Sequence, residues 1–99
     1  MLLVIGTIRV APEAVARIRP VMDELVRATR LEDGCAEYSC AEDLLEPGLL
    51  HVKEIWRDRA ALERHFQAPH IARAGAAMAD LDIQGRELRM CEVDSLTSF

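Results

Sequence analysis

The sequence contains no asparagine, only four aromatic residues and only three cysteines. No CxxC or HxxxH pair occurs in it, so no local metal motif is present. No apolar run approaches the roughly 20 residues of a membrane span. The opening MLLVIG is too short for a signal-peptide core and has no basic residue before it. The expectation is a soluble, cytoplasmic protein with no membrane partner. A surplus of basic residues is also missing: 12 Lys and Arg stand against 17 Asp and Glu, for a net charge of −5. Such a surface repels a phosphate backbone, so nucleic acid is not an expected partner. The three cysteines are too few and too oddly spaced for a disulfide framework. Cys35 and Cys40 are expected on one strand at an odd offset, hence on opposite faces and unable to bridge, as buried free thiols.

What is present belongs to a folded domain. Hydrophobic residues make up 51% of the chain and charged residues 29%, with no repeat, low-complexity tract or linker. A length of 99 residues fits one domain, 1–99, with a single core. Leu2 to Val10 reads as a strand, with Leu2, Val4, Ile8 and Val10 on one face and Leu3, Ile5 and Thr7 on the other. Both faces are largely apolar, which predicts a central strand covered on both sides. Pro12 opens a helix, and Val15, Ile18, Met22, Leu25 and Thr29 make its apolar stripe to about Arg30. Pro20 cannot donate to Ala16 and should kink it. Gly34 ends the unit.

Cys35 to Leu44 and Leu49 to Trp56 read as a hairpin around Leu45-Glu46-Pro47-Gly48. Asp58 is a candidate N-cap for a short helix carrying Leu62, His65 and Phe66. Pro69 starts another, with Ile71, Ala72, Gly75, Met78 and Ala79 toward the core. Arg86 to Val93 suits a last strand. The order β-α-β-β-α(α)-β predicts an α+β, ferredoxin-like βαββαβ fold, a four-stranded antiparallel sheet with its helices on one face. The uncovered face of the first strand then calls for a second copy, so a homodimer is expected.

Gly34-Cys35-Ala36-Glu37-Tyr38, then Glu46-Pro47-Gly48, then Glu54-Ile55-Trp56 running on to Leu62, then His65 and Pro69-His70-Ile71, follow in order. In this the chain resembles the antibiotic biosynthesis monooxygenase superfamily, and within it the small quinol-monooxygenase-like proteins. The resemblance implies a dimeric α+β barrel with a pocket between sheet and helices, and oxidation of quinol- or anthrone-like aromatics by O2 without metal or flavin. It departs from the superfamily in having no asparagine for members that use one. Where haem-degrading members carry Asn, Trp and an axial His, this chain aligns Thr7, His65 and Gly75, which argues against haem chemistry.

The residues that could carry chemistry are few. His65 or His70 could serve as a general base, since imidazole ordinarily titrates near neutrality. Each could equally fix the fold by a buried hydrogen bond. Glu54, two residues from Trp56 on one strand face, would be costly unpaired, and His65 or an arginine is its expected partner. Trp56, Tyr38 and Phe66 are candidate walls of an aromatic pocket, although core packing explains a Trp as well. His51 takes no role. Arg57, Arg59, Arg64 and Arg73 read as solvated surface, and Met22, Met78 and Met90 as core filler. Three functions stay open: a cofactor-independent monooxygenase acting on a small aromatic substrate, an isomerase or lyase using the same base, and a non-catalytic small-molecule-binding dimer.

Overall fold

The computed structural model describes all 99 residues. Four strands, β1 (Leu2–Val10), β2 (Cys35–Glu42), β3 (Leu49–Trp56) and β4 (Ile83–Glu92), form one antiparallel sheet in the order β2-β3-β1-β4. A 3₁₀ turn at Pro12–Ala14 leads into α1 (Val15–Arg30), while α2 (Arg59–Phe66) and α3 (Pro69–Met78) connect β3 to β4. This is the expected ferredoxin-like α+β fold. No helix is long and apolar enough to cross a membrane.

The central position of β1 follows from its composition. Leu2, Val4, Ile8 and Val10 are buried under the helices, while Ile5 on the opposite face is 41% exposed. Trp56, Tyr38 and Leu62 complete the core at one end, and Ile18, Leu50 and Val52 at the other. Pro20 sits within α1 without ending it. Its side faces solvent, so the Ala16 carbonyl it leaves free is open to water. Thr29 lies on the buried stripe as expected, but its Oγ1 is enclosed without a hydrogen-bond partner. Gly48 turns the hairpin at φ +85°, where a side chain would be strained. The Asp43 side chain stops β2 early, accepting from the backbone N–H of Leu45 and Glu46.

Several local expectations are corrected. A register shift between Cys35 and Glu37 puts Cys35 opposite Trp56 and Cys40 opposite Val52. The bulge therefore places both cysteines on the helix-covered face, and both are free. In α3 the buried residue is Ala74, with Ile71 and Met78 beside it, whereas Ala72 is exposed. The stripe runs 71-74-75-78, the spacing of one helix face, and residue 72 falls off it. Met90 is 47% exposed because β4 is an edge strand. That strand also begins three residues before Arg86, at Ile83.

Candidate active site

Asp58 caps α2, its side chain accepting from the Ala61 N–H at 2.9 Å. The capped helix buries Ala61, Leu62 and His65. His65, at i+3 from Leu62, thus turns inward onto the sheet. There it packs against Trp56, ring centroids 4.7 Å apart, and Tyr38, at 5.4 Å. Its Nδ1 lies 2.6 Å from Oε2 of Glu32 in the turn after α1. The same oxygen lies 2.7 Å from Nε2 of His70, in the first turn of α3. A carboxylate oxygen only accepts, so both imidazoles donate to it. One acid thus fixes the tautomers of two histidines, leaving Nε2 of His65 without a protein partner.

A cavity of about 450 Å³ lies between the sheet and α3, lined mainly by apolar side chains such as Ile8, Leu25, Ile71, Ala74, Met78 and Leu88. Four polar residues join that wall: Tyr38, Glu54, His65 and Arg86. The unpartnered His65 Nε2 is not enclosed by protein and belongs to a residue of this wall, so it opens to the cavity. Burial pushes the Glu54 carboxyl above its ordinary range, against the lowering pull of the Trp56 N–H and the charges of His65 and Arg86. Burial likewise raises the Tyr38 phenol, helped by the nearby Glu54 carboxylate. A second, more open depression of about 300 Å³ lies between α1 and β2, with Arg19, Arg27 and Arg30 at its border. It contains no histidine, whereas the polar groups of the first cavity converge, which makes the first the candidate site.

The sequence-derived residues fall into three positions. Tyr38, Glu54, His65 and Phe66 line the cavity, Phe66 at its rim with 58% of its surface exposed. Trp56 is fully buried behind His65 rather than on the wall, its Nε1 donating to Glu54 Oε1 at 2.9 Å. This corrects the expected partner of Glu54: the acid takes the indole two residues along its own strand, while His65 turns to Glu32. His70 meets His65 through Glu32 and stands outside the cavity wall. His51 is exposed and bonded to Asp43, and the four arginines read as surface pair with exposed acids.

Two residues were missed from sequence. Glu32 gives no local signal, because its partners are 33 and 38 positions away. Arg86 does give one: it lies opposite Ile8, in the helix-facing row of β4 with Leu88 and Met90, where a charge breaks the apolar series.

A sequence model described as Antibiotic biosynthesis monooxygenase matches residues 1–77. Rv0793 of Mycobacterium tuberculosis, provisionally named a monooxygenase, is 34% identical over 70 residues, which is 71% of this chain and 68% of that one. Its solved structure superposes with a TM-score of 0.85 at 28% identity, covering 98% of both chains. An uncharacterised protein of Synechocystis sp. is 30% identical over 92 residues, 93% of this chain, which spans only 63% of that relative's length. A crystal structure from Deinococcus radiodurans, provisionally named an antibiotic biosynthesis monooxygenase, gives a TM-score of 0.90 at 28% identity over 100% of this chain and 98% of that one. With the family pattern spanning more than three quarters of its length, and the fold agreeing throughout, this chain belongs to the antibiotic biosynthesis monooxygenase family.

Proposed function

We propose that this protein is a monooxygenase-type enzyme that oxidises a small quinol- or anthrone-like aromatic with O2, with His65 as the proton acceptor and no bound cofactor. The observation that carries the reading is the state of one ring. His65 gives its Nδ1 proton to Glu32 and presents a bare Nε2 to an apolar cavity. An imidazole so oriented, packed against Trp56 at a ring-centroid distance of 4.7 Å, is built to take a proton from a bound ligand. His70 has its own Nε2 committed to Glu32 and serves that acid rather than the ligand.

The steps follow from the wall. A planar ligand fits a cavity of about 450 Å³, within the size range of small-molecule sites. Arg86 supplies the one cation that can hold a phenolate or enolate oxygen as it forms, and the apolar side chains exclude competing water. His65 removes the acidic proton, and the electron-rich anion reacts with O2. For an anthrone-type carbon, the methylene and one O2 become a ketone carbonyl and one water. Two C–H bonds break, one C=O bond forms, and carbon gives four electrons to the two oxygen atoms. No external reductant enters.

The enzyme acts as a homodimer in this proposal, since Leu3, Ile5 and Ile55 remain only partly covered on the open sheet face. Oxygen uptake with a panel of anthrones and hydroquinones tests the reaction. The His65→Ala variant should lose about 10²–10⁴-fold in rate. Absence of uptake by the unmodified protein, or full activity in the variant, overturns the proposal. Solvent deuterium entering a carbonyl substrate without oxygen uptake would favour an isomerase on the same base.

A further inference from the structure

We propose that Glu32, His65 and His70 form a binding site for a divalent transition-metal ion of the zinc type. Their donor atoms, Glu32 Oε2, His65 Nδ1 and His70 Nε2, all lie within 4.8 Å of one another. They come from three different elements, the turn after α1, α2 and α3. The side chains of His65, His70 and Glu32 are 3%, 12% and 14% exposed. The site is therefore held from inside and entered from outside, through His70 and Glu32.

The electrostatics favour a cation. Glu32 is a largely buried acid whose ion-pair partners are the two imidazoles alone, with no lysine or arginine beside it. Two neutral imidazoles and a carboxylate sum to −1, and a divalent ion would bring the cluster to +1. Nitrogen and carboxylate donors suit zinc, nickel or cobalt better than magnesium or calcium, which prefer oxygen alone. Tetrahedral zinc at about 2.0–2.1 Å from each donor spaces the donors about 3.3 Å apart. Glu32 Oε2 now sits 2.6 and 2.7 Å from the two nitrogens, so it would draw back by roughly 0.7 Å. A turn residue can do so by rotating its side chain. His65 is already held by packing against Trp56.

Each ring passes its proton to its other nitrogen as the ion replaces two N–H···O bonds. On His65 that other nitrogen is Nε2, so the ion ties α1, α2 and α3 together and leaves a donor facing the cavity. The metal site stands without the oxygenase reading. Only its consequence, that a bound ion withdraws the proton acceptor, rests on that reading.

Trp56 is the sole tryptophan and its ring is 4.7 Å from His65, so it reports the site directly. Untagged protein titrated with Ni2+ should show saturable quenching of its fluorescence. Non-quenching Zn2+ should displace the nickel and restore the signal. Glu32→Gln and His70→Ala should each weaken binding by about 30-fold or more. His51→Ala should not, because His51 lies five residues along β3, roughly 17 Å from Trp56. His70 is partly exposed, so its variant carries the test if Glu32→Gln fails to fold. No quenching up to about 1 mM Ni2+, a binding energy of only about 4 kcal/mol, overturns the proposal. Quenching unchanged in His70→Ala overturns it too. Oxygen uptake does not enter either result, so failure here leaves the oxygenase test intact.

Discussion

Replacing Trp56 by Phe should expose how the core and the candidate site share one hydrogen bond. Trp56 is fully buried, and its Nε1 donates to Oε1 of Glu54, itself 6% exposed, at 2.9 Å. A hydrogen bond to a charged group contributes about 1.5–3 kcal/mol. Phe fills roughly 35–40 Å³ less space, and the residual void adds about 0.9 kcal/mol at about 24 cal/mol per Å³. The sum is about 2.5–4 kcal/mol. At about 5 °C per kcal/mol for a chain of this size, the melting temperature should fall by roughly 12–20 °C. Glu54→Gln supplies the second edge of a double-mutant cycle. A neutral amide oxygen accepts a bond of only about 1 kcal/mol, so Trp56→Phe should cost about 1 kcal/mol less in that background. Burial holds the Glu54 carboxyl above its ordinary value, so the folded chain binds more protons than the unfolded one and stability falls as pH rises past 4.5. Glu54→Gln lacks that slope. It should be more stable than the parent at pH 7, with the gap closing as pH drops to the ordinary glutamate range. Thermal and urea unfolding at fixed protein concentration measure all of this. Equal costs of Trp56→Phe in both backgrounds would refute the reasoning.

Four further outcomes follow from other sites. Gly6→Ala would drive its Cβ into the Glu87 carbonyl and Leu88, both on the neighbouring strand, and should cost about 3 kcal/mol in urea unfolding. Gly75→Ala meets nothing within 4 Å and removes a helix glycine, so it should raise stability by about 0.5–1 kcal/mol while taking a methyl's volume from the cavity. Asp58→Ala should lower the melting temperature at neutral pH. Its carboxyl is held below the usual range, chiefly by the Ala61 N–H, so that cap is present above the ordinary aspartate value, is lost as pH falls through the lowered one, and parent and variant should converge in acid. Ile5→Lys on the open sheet face should convert the proposed homodimer into monomers in sedimentation velocity while leaving the circular dichroism unchanged.

Much of the fold was legible because its signals are local. The two-faced apolar pattern of Leu2 to Val10 placed β1 at the centre, and Pro47-Gly48 placed the hairpin. Errors arose where the backbone leaves its regular period. One inserted residue between Cys35 and Glu37 reversed the facing of Cys35 relative to Cys40, and side-chain alternation cannot announce a bulge. The start of β4 was hidden similarly: its pairing shifts at Arg9 and Val10, and Gly85 has no side chain to mark a face. In the site, Trp56 and Glu54 were legible as neighbours on one strand face, two residues apart, but the hydrogen bond between them was not. Glu32 was not, since a turn acid becomes meaningful only when α2 and α3 bring two histidines to it.

The hollow itself has a cause in residue size. Gly6 also faces the helices from the central strand, but the Leu88 side chain of β4 fills the place beside it, so the open space is set by the residues opposite. Against the cavity, α3 presents Ala74 and Gly75, and its capping residue Ala79 follows. Small residues on the helix side leave volume that larger ones would fill, at about 25 cal/mol for each Å² of apolar surface left unburied. The chain forgoes that stabilisation in the one region where Glu54, Tyr38, Arg86 and His65 converge. A purely structural explanation would put the polar groups wherever the sheet tolerates them and the small residues wherever the helices approach closely. Here Gly75 has nothing near it, so close approach does not explain the glycine. Space kept open beside a histidine whose free nitrogen faces that space is the arrangement a ligand requires, and it is what favours a site over a loosely packed core.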